Sequence, residues 1–367
     1  MGLNEKLMRQ KRKENIIMRK FLIFVFALVA LCGLASCGAK EYKLGMGVEV
    51  NTSSSTNASA SKAGNAQIDA TVAAVVLDAN GVIVSCRIDA VQNKIAVSAE
   101  GVVTVPATFE TKMELGSRYG MAGNPYSSDN NEDGVVKEWN EQAKLFEQYV
   151  VGKTGAEVKG LALQEVGGHM ISKDDALLAA GCTIQLTDFI AAVVKACNDD
   201  QAVSFTAGEF TLGVAASSYN DGSANATEAK AGAVQVYSDF AAVVVADGKI
   251  AAALNDAIQP KFAVTTAGAL TATFKDTKRV LKGEYGMAGN PYSSDNNEDG
   301  VIKEWYEQSA IFSQYVVGKT GNEVKGLALQ EVSGHMISKD DALLAAGCTI
   351  QLSAIKEVVA KAFTNAR

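Results

Sequence analysis

Three early stretches of the chain, Lys43–Val50, Gln67–Leu77 and Val82–Ile88, are rich in Val and Ile and alternate apolar with polar positions, the period of a strand. Asp-Ala-Asn-Gly at 78–81 supplies a tight turn between the last two, so these stretches are predicted to pair antiparallel. Farther along the period lengthens. Trp139, Ala143, Phe146 and Val150 recur at helical spacing, a short helix is expected near Ala156–Leu163, and a last one over Asp188–Ala196 with Thr187 as its cap. Strands first and helices later predict an α+β unit.

The unit occurs twice. "YGMAGNPYSSDNNEDGV" begins at Tyr119 and again at Tyr285, and "DDALLAAGCTIQL" is unchanged at Asp174–Leu186 and Asp340–Leu352. The second copy repeats the helical pattern through Trp305, Ile311, Phe312, Tyr315 and Val316, and places Ser353 where Thr187 stands. Upstream the copies diverge but still align: "IDAVQNKIAVSAEG" answers "NDAIQPKFAVTTAG", and "YKLGMGVEVNTSSS" answers "FTLGVAASSYNDGS". By composition Asn51–Gly64 reads as a flexible tether, but its partner in the second copy makes it a loop between two strands. The expected organisation is a leader over 1–36, a short tether over 37–42, repeat 1 over 43–198, a linker over 199–208 and repeat 2 over 209–367. Each repeat is expected to be an antiparallel sheet followed by helices around its own core.

The leader changes the picture of location. Basic residues (Lys11, Arg12, Lys13, Arg19, Lys20) precede the apolar stretch Phe21–Leu31, which ends in small residues and then Leu34-Ala35-Ser36-Cys37. This order matches a bacterial lipoprotein signal, with Cys37 as the acylated new amino terminus. The expected protein is exported and held by lipid to the outer face of a bacterial membrane. Losing residues 1–36 removes seven basic and two acidic groups from totals of 34 and 41, leaving 27 against 39 and a net charge of −12. An acidic surface of this kind repels nucleic acid and anionic headgroups, so attachment is expected through the lipid alone.

In "AGCTIQLTDFIAAVVKA", Gly181 offers an accessible backbone corner and Thr183 a hydroxyl just before a helix amino end, where a phosphate is favoured. Here the chain resembles the FMN-binding domain of bacterial electron-transfer lipoproteins and of flavoprotein subunits of membrane redox pumps. "LDANGVIVSCRID" is similar to that family's opening strands, "AAGCT" to its flavin-attachment corner and "FIAAVVKA" to its final helix. The resemblance implies FMN held through a phosphoester on Thr183 and Thr349, beside Gly181 and Gly347, and redox partner proteins. Three positions depart from the family motif: Ala180 stands for Ser, Cys182 for Ala, and Leu177 (Leu343 in the second copy) for Asp. The alternative is a buried corner, with Cys in the core and Thr bonded to its surroundings.

Asp129, Asn131 and Asp133, with Asp295, Asn297 and Asp299 in the second copy, occupy positions 1, 3 and 5 of a calcium-loop pattern, but position 12 is Asn140 or Tyr306 instead of Glu. The chain's two histidines, His169 and His335, fall at matched places. "VGKTG" lacks the first glycine of a phosphate loop, since that position is Glu147. Cys86 and Cys197 occur in repeat 1 alone, which suggests that they touch, packed or disulfide-bonded. No hydrolytic triad or acid pair is evident. The expected function is an electron carrier or small-ligand-binding module; the alternative is a structural or adhesive surface protein with calcium-binding loops.

Overall fold

The computed structural model describes residues 39–123, 136–289 and 302–367. Repeat 1 opens with β1 (Lys40–Asn51), β2 (Gly64–Leu77), β3 (Ile83–Val97) and β4 (Val103–Thr104), all antiparallel to their neighbours. Then come α1 (Lys112–Leu115), α2 (Trp139–Val150), α3 (Gly155–Lys159), a hairpin of β5 (Leu163–Val166) and β6 (His169–Ser172), α4 (Asp175–Ala179) and α5 (Thr187–Cys197). Both repeats are α+β, as the patterning predicts.

Repeat 2 follows the same plan. Its sheet holds β8 (Thr211–Asn220), β9 (Gly232–Ala246), β10 (Lys249–Ile258), β11 (Lys261–Val264) and β12 (Leu270–Thr273). Its outer elements are α6 (Lys278–Leu281), α7 (Trp305–Tyr315), α8 (Gly321–Lys325), the hairpin β13 (Leu329–Val332) and β14 (His335–Ser338), α9 (Asp341–Ala345) and α10 (Ser353–Thr364). The long β3 is matched by β10 and β11, which flank Pro260; proline has no N–H for the ladder that Asn93 continues in repeat 1.

Two boundaries differ from expectation. β1 begins at Lys40, inside the expected tether, and the expected linker contains β7 (Val203–Ala207), which pairs antiparallel with β1 through Tyr42 and Phe205. The first sheet therefore runs β4-β3-β2-β1-β7. The last helices start at Thr187 and Ser353 with Leu186 and Leu352 at the cap positions, and no side chain caps either end.

β2 shows how the layers are built. Ile68, Ala70, Val72, Ala74 and Val76 face one core while Ala73, Val75 and Leu77 face another, and all are buried. The first face meets the corresponding face of the other sheet: Leu44, Ile68 and Ile95 share one apolar cluster with Phe240, Leu254 and Phe262. The second face packs on the helices of its own repeat, around Phe146 and Phe189 in repeat 1 and around Phe312 in repeat 2. The order is helices, sheet, sheet, helices. The repeats thus share a central core in addition to an outer core each, which a strand buried on both faces requires.

Close approach fixes the outer layers. A Cβ added to Gly47 would lie 2.3 Å from the Ala192 carbonyl oxygen of α5, and one on Gly213 would lie 1.9 Å from that of Ala362 in α10. The repeats also clasp reciprocally: Ala58 N–H donates to the Gly268 carbonyl (3.0 Å) and Ala226 N–H to that of Gly101 (2.9 Å). Asn57 and Asn225 Oδ1 accept from Leu270 and Val103 N–H, each at 2.8 Å. The 51–64 segment is thus a clamp across the repeat interface. Ion pairs Arg279–Asp199 (3.0 Å) and Lys361–Glu114 (2.6 Å) cross it as well.

Candidate functional site

The twice-used Gly-Cys-Thr corner is built by local rules. Asp174 caps α4 by accepting from Ala176 and Leu177 N–H, and it also accepts from the Tyr149 hydroxyl at 2.8 Å. At the other end Gly181 N–H donates to Leu178 and Cys182 N–H to Leu177, a paired closure that needs the left-handed φ of +92° found at Gly181. Cys182 and Thr183 then have no exposed surface. Thr183 N–H donates to Gln142 Oε1 (2.8 Å), and Gln142 Nε2 donates to the Lys137 carbonyl (2.6 Å), tying the corner to the start of α2. Gln308 holds Thr349 to Lys303 in the same way, at 2.7 and 2.6 Å.

This geometry corrects the expectation of an accessible corner. The Lys137 side chain covers Gly181, where an added Cβ would lie 2.5 Å from its Nζ, and Lys303 covers Gly347 likewise. A flavin phosphoester on Thr183 or Thr349 requires that corner to open.

Immediately after the corner, Ile184 and Gln185 line a cleft of about 270 Å³ on the side of repeat 1, close to the lower end of common ligand-pocket sizes. One wall is aromatic, formed by Tyr119, Trp139 and Phe189, with Trp139 and Phe189 edge to face at 5.4 Å. Lys112 Nζ lies 4.8 Å from the Tyr119 ring centre and 5.5 Å from that of Trp139. The opposite wall is polar. Gln67 Nε2 donates to Asp69 Oδ2 (2.7 Å), while Asp69 Oδ1 is shut off from solvent without a hydrogen-bond partner. Burial lifts the Asp188 carboxyl above its ordinary range, with Glu49 and Asp69 adding to the rise and Lys112 opposing it. His169 stands at the rim, its Nδ1 3.2 Å from Gln185 Oε1.

The matching place in repeat 2 is occupied by the chain itself. Tyr219 and Tyr237 stand where repeat 1 has Asn51 and Asp69, and their rings meet at 5.5 Å. Lys278, the counterpart of Lys112, lies 5.2 Å from the Tyr237 ring, 4.8 Å from Tyr285 and 5.4 Å from Trp305. The Tyr237 hydroxyl accepts from Gln235 Nε2 (3.2 Å) and from Gln259 Nε2. Asp239 beneath them is pushed up to about 6 by burial, opposed by Lys278 and by a hydrogen bond from Tyr219.

No family model, curated protein or solved structure matches this chain. Among the described residues no helix is long and apolar enough to cross a membrane, and no cluster of three His, Cys, Asp or Glu side chains suits a metal. Cys37 and the calcium-loop residues Asp129, Asn131, Asp133, Asp295, Asn297 and Asp299 lie outside the described residues. Cys86 and Cys197 are free thiols in the same outer core of repeat 1. Thr154 and Thr320 of the "GKTG" stretches are helix caps in capping boxes. The cleft residues Asn51, Asp69, Lys112 and Tyr119 carry no motif. Their signal in the sequence is a difference: two polar residues in one copy replaced by two tyrosines in the other.

Proposed function

We propose that this protein is an exported, lipid-anchored small-ligand-binding module in which repeat 1 carries the binding cleft and repeat 2 is its structural counterpart. The observation that carries the reading is the cleft beside Trp139, present in one copy and filled by Tyr219 and Tyr237 in the other. Concave sites that combine an apolar wall with a few convergent polar groups are where small ligands bind. The burial of Thr183 and Thr349 favours a reversible ligand over covalent FMN on those hydroxyls, and so the binding branch of the flavin-domain resemblance over electron transfer. Anchoring through Cys37 would hold the module at the outer face of the membrane.

The test is a ligand-observed NMR screen of the full chain in mild detergent, against a panel of small aliphatic, aromatic, cationic and anionic compounds. The control is the Asn51→Tyr/Asp69→Tyr variant, which copies the filling of repeat 2. Compounds that bind the native chain and not the variant support the reading; a panel that is silent, or that binds both proteins alike, contradicts it.

A further inference from the structure

We infer that the repeat 1 cleft takes a phenolic aromatic amine, seated as the Tyr237 side chain is seated in repeat 2. This rests on the binding reading above and adds the chemical class of the ligand.

Repeat 2 displays the complementary shape. There a phenol ring lies against a lysine ammonium that is shared with a tyrosine and a tryptophan, and its hydroxyl meets two glutamine amides. Repeat 1 keeps Lys112, Tyr119 and Trp139 around the ring position and Gln67 and Gln92 at the hydroxyl end, with Gln67 already bonded to Asp69; Asp221, which also bonds the Tyr237 hydroxyl, is replaced by Ser53. What it lacks is the ring and the Tyr219 ring packed on it, because these two positions hold Asp69 and Asn51.

The same residue correspondence points to the substituent. A ring in the Tyr237 position has one edge directed at residue 69, the edge that in repeat 2 is joined to Cβ. In repeat 1 that edge meets the Asp69 carboxylate, which lines the cleft. Asp188 stands on the same cleft, where repeat 2 has Ala354. An ammonium group between these two acidic side chains makes charge-assisted hydrogen bonds with them. A carboxylate on the same edge would instead face two acidic side chains. The ring itself gains from Lys112, which sits over aromatic faces already. A flavin phosphate fits this polarity poorly.

Three compounds that share one ring separate these contributions: tyramine, its uncharged relative p-cresol, and the anion 4-hydroxyphenylacetate, titrated calorimetrically into the full chain. Tyramine is expected to bind at least about ten-fold more tightly than the anion, and Asp69→Asn to weaken tyramine about ten-fold while leaving p-cresol within about two-fold. Asn51→Tyr/Asp69→Tyr should abolish all three with an unchanged melting temperature, since repeat 2 accommodates the same pair. Equal binding of the three compounds, still lost in the double variant, overturns the amine assignment and leaves the ligand-binding reading intact. Failure of all three to bind, while the wider panel yields a cleft ligand, overturns the aromatic assignment. A silent panel removes both.

Discussion

Replacing Gln142 by leucine tests whether the repeated Gly-Cys-Thr corner is a structural lock. The Gln142 side chain is fully buried and satisfies two backbone groups, the Thr183 N–H at 2.8 Å and the Lys137 carbonyl at 2.6 Å. Leucine is of comparable size and offers neither an acceptor nor a donor. Each backbone group left unpaired away from water costs about 1–3 kcal/mol, and the Lys137 end is partly reached by solvent, so Gln142→Leu should destabilise the fold by about 2–4 kcal/mol. Thr183→Val is the contrast. The Thr183 hydroxyl lies 3.5 Å from Gln142 Oε1, at the outer limit of a hydrogen bond, and its loss should cost no more than about 1 kcal/mol. Urea unfolding followed by far-UV circular dichroism measures both, with similar slopes required for comparison. Thr183→Val costing as much as Gln142→Leu would refute the reasoning and return importance to the hydroxyl.

Two other outcomes follow from the shared core and from buried acids. Either repeat produced alone, as 38–208 or 209–367, exposes the inner face of its sheet and should aggregate or fail to unfold cooperatively; a folded, monomeric half by ultracentrifugation and calorimetry would contradict the four-layer arrangement. Asp89 and Asp239 are fully buried and pushed up to about 6 by loss of solvation, so the folded state holds their protons more tightly than the unfolded chain does. That contribution, on the order of 3 kcal/mol for each, is fully present below the ordinary value near 3.8 and lost as pH rises through about 6. Between pH 4.5 and 7.5 the native chain should therefore lose more stability than Asp239→Asn; parallel urea midpoints for the two would contradict it.

Much of the architecture is legible in the letters because it depends on local periodicity and on the repeat. The alternation in Gln67–Leu77 gives a strand, and the spacing of Trp139, Ala143, Phe146 and Val150 gives a helix. The repeat correctly turns a Ser-rich segment, 51–64, from a tether into an inter-strand loop. What pattern cannot supply is which sheet face meets which. The run Ala-Ala-Val-Val at 73–76 is apolar on both faces, but only the tertiary arrangement shows that one of them belongs to the other repeat. The β7 strand escapes notice because it is a five-residue edge whose ladder partner, β1, is far away in sequence. Thr183 reads as an accessible hydroxyl since its burial depends on Gln142, 41 residues earlier. The cleft escapes a motif search for a different reason: it is assembled from scattered residues on β1, β2, β3, α1, α2 and α5, and its sharpest trace is the exchange of Asn51 and Asp69 for Tyr219 and Tyr237.

The chain contains two tryptophans, Trp139 beside the repeat 1 cleft and Trp305 at the matched position under Lys278, and their indole N–H resonances report the two places separately. Titrating tyramine into the full chain, with Trp305→Phe to assign the signals, tests the claim of one open and one filled site most directly. The account predicts a saturable shift of the Trp139 resonance with Trp305 unmoved, and its loss in Asn51→Tyr/Asp69→Tyr. Equal shifts at both tryptophans, or movement at Trp305 alone, would contradict it.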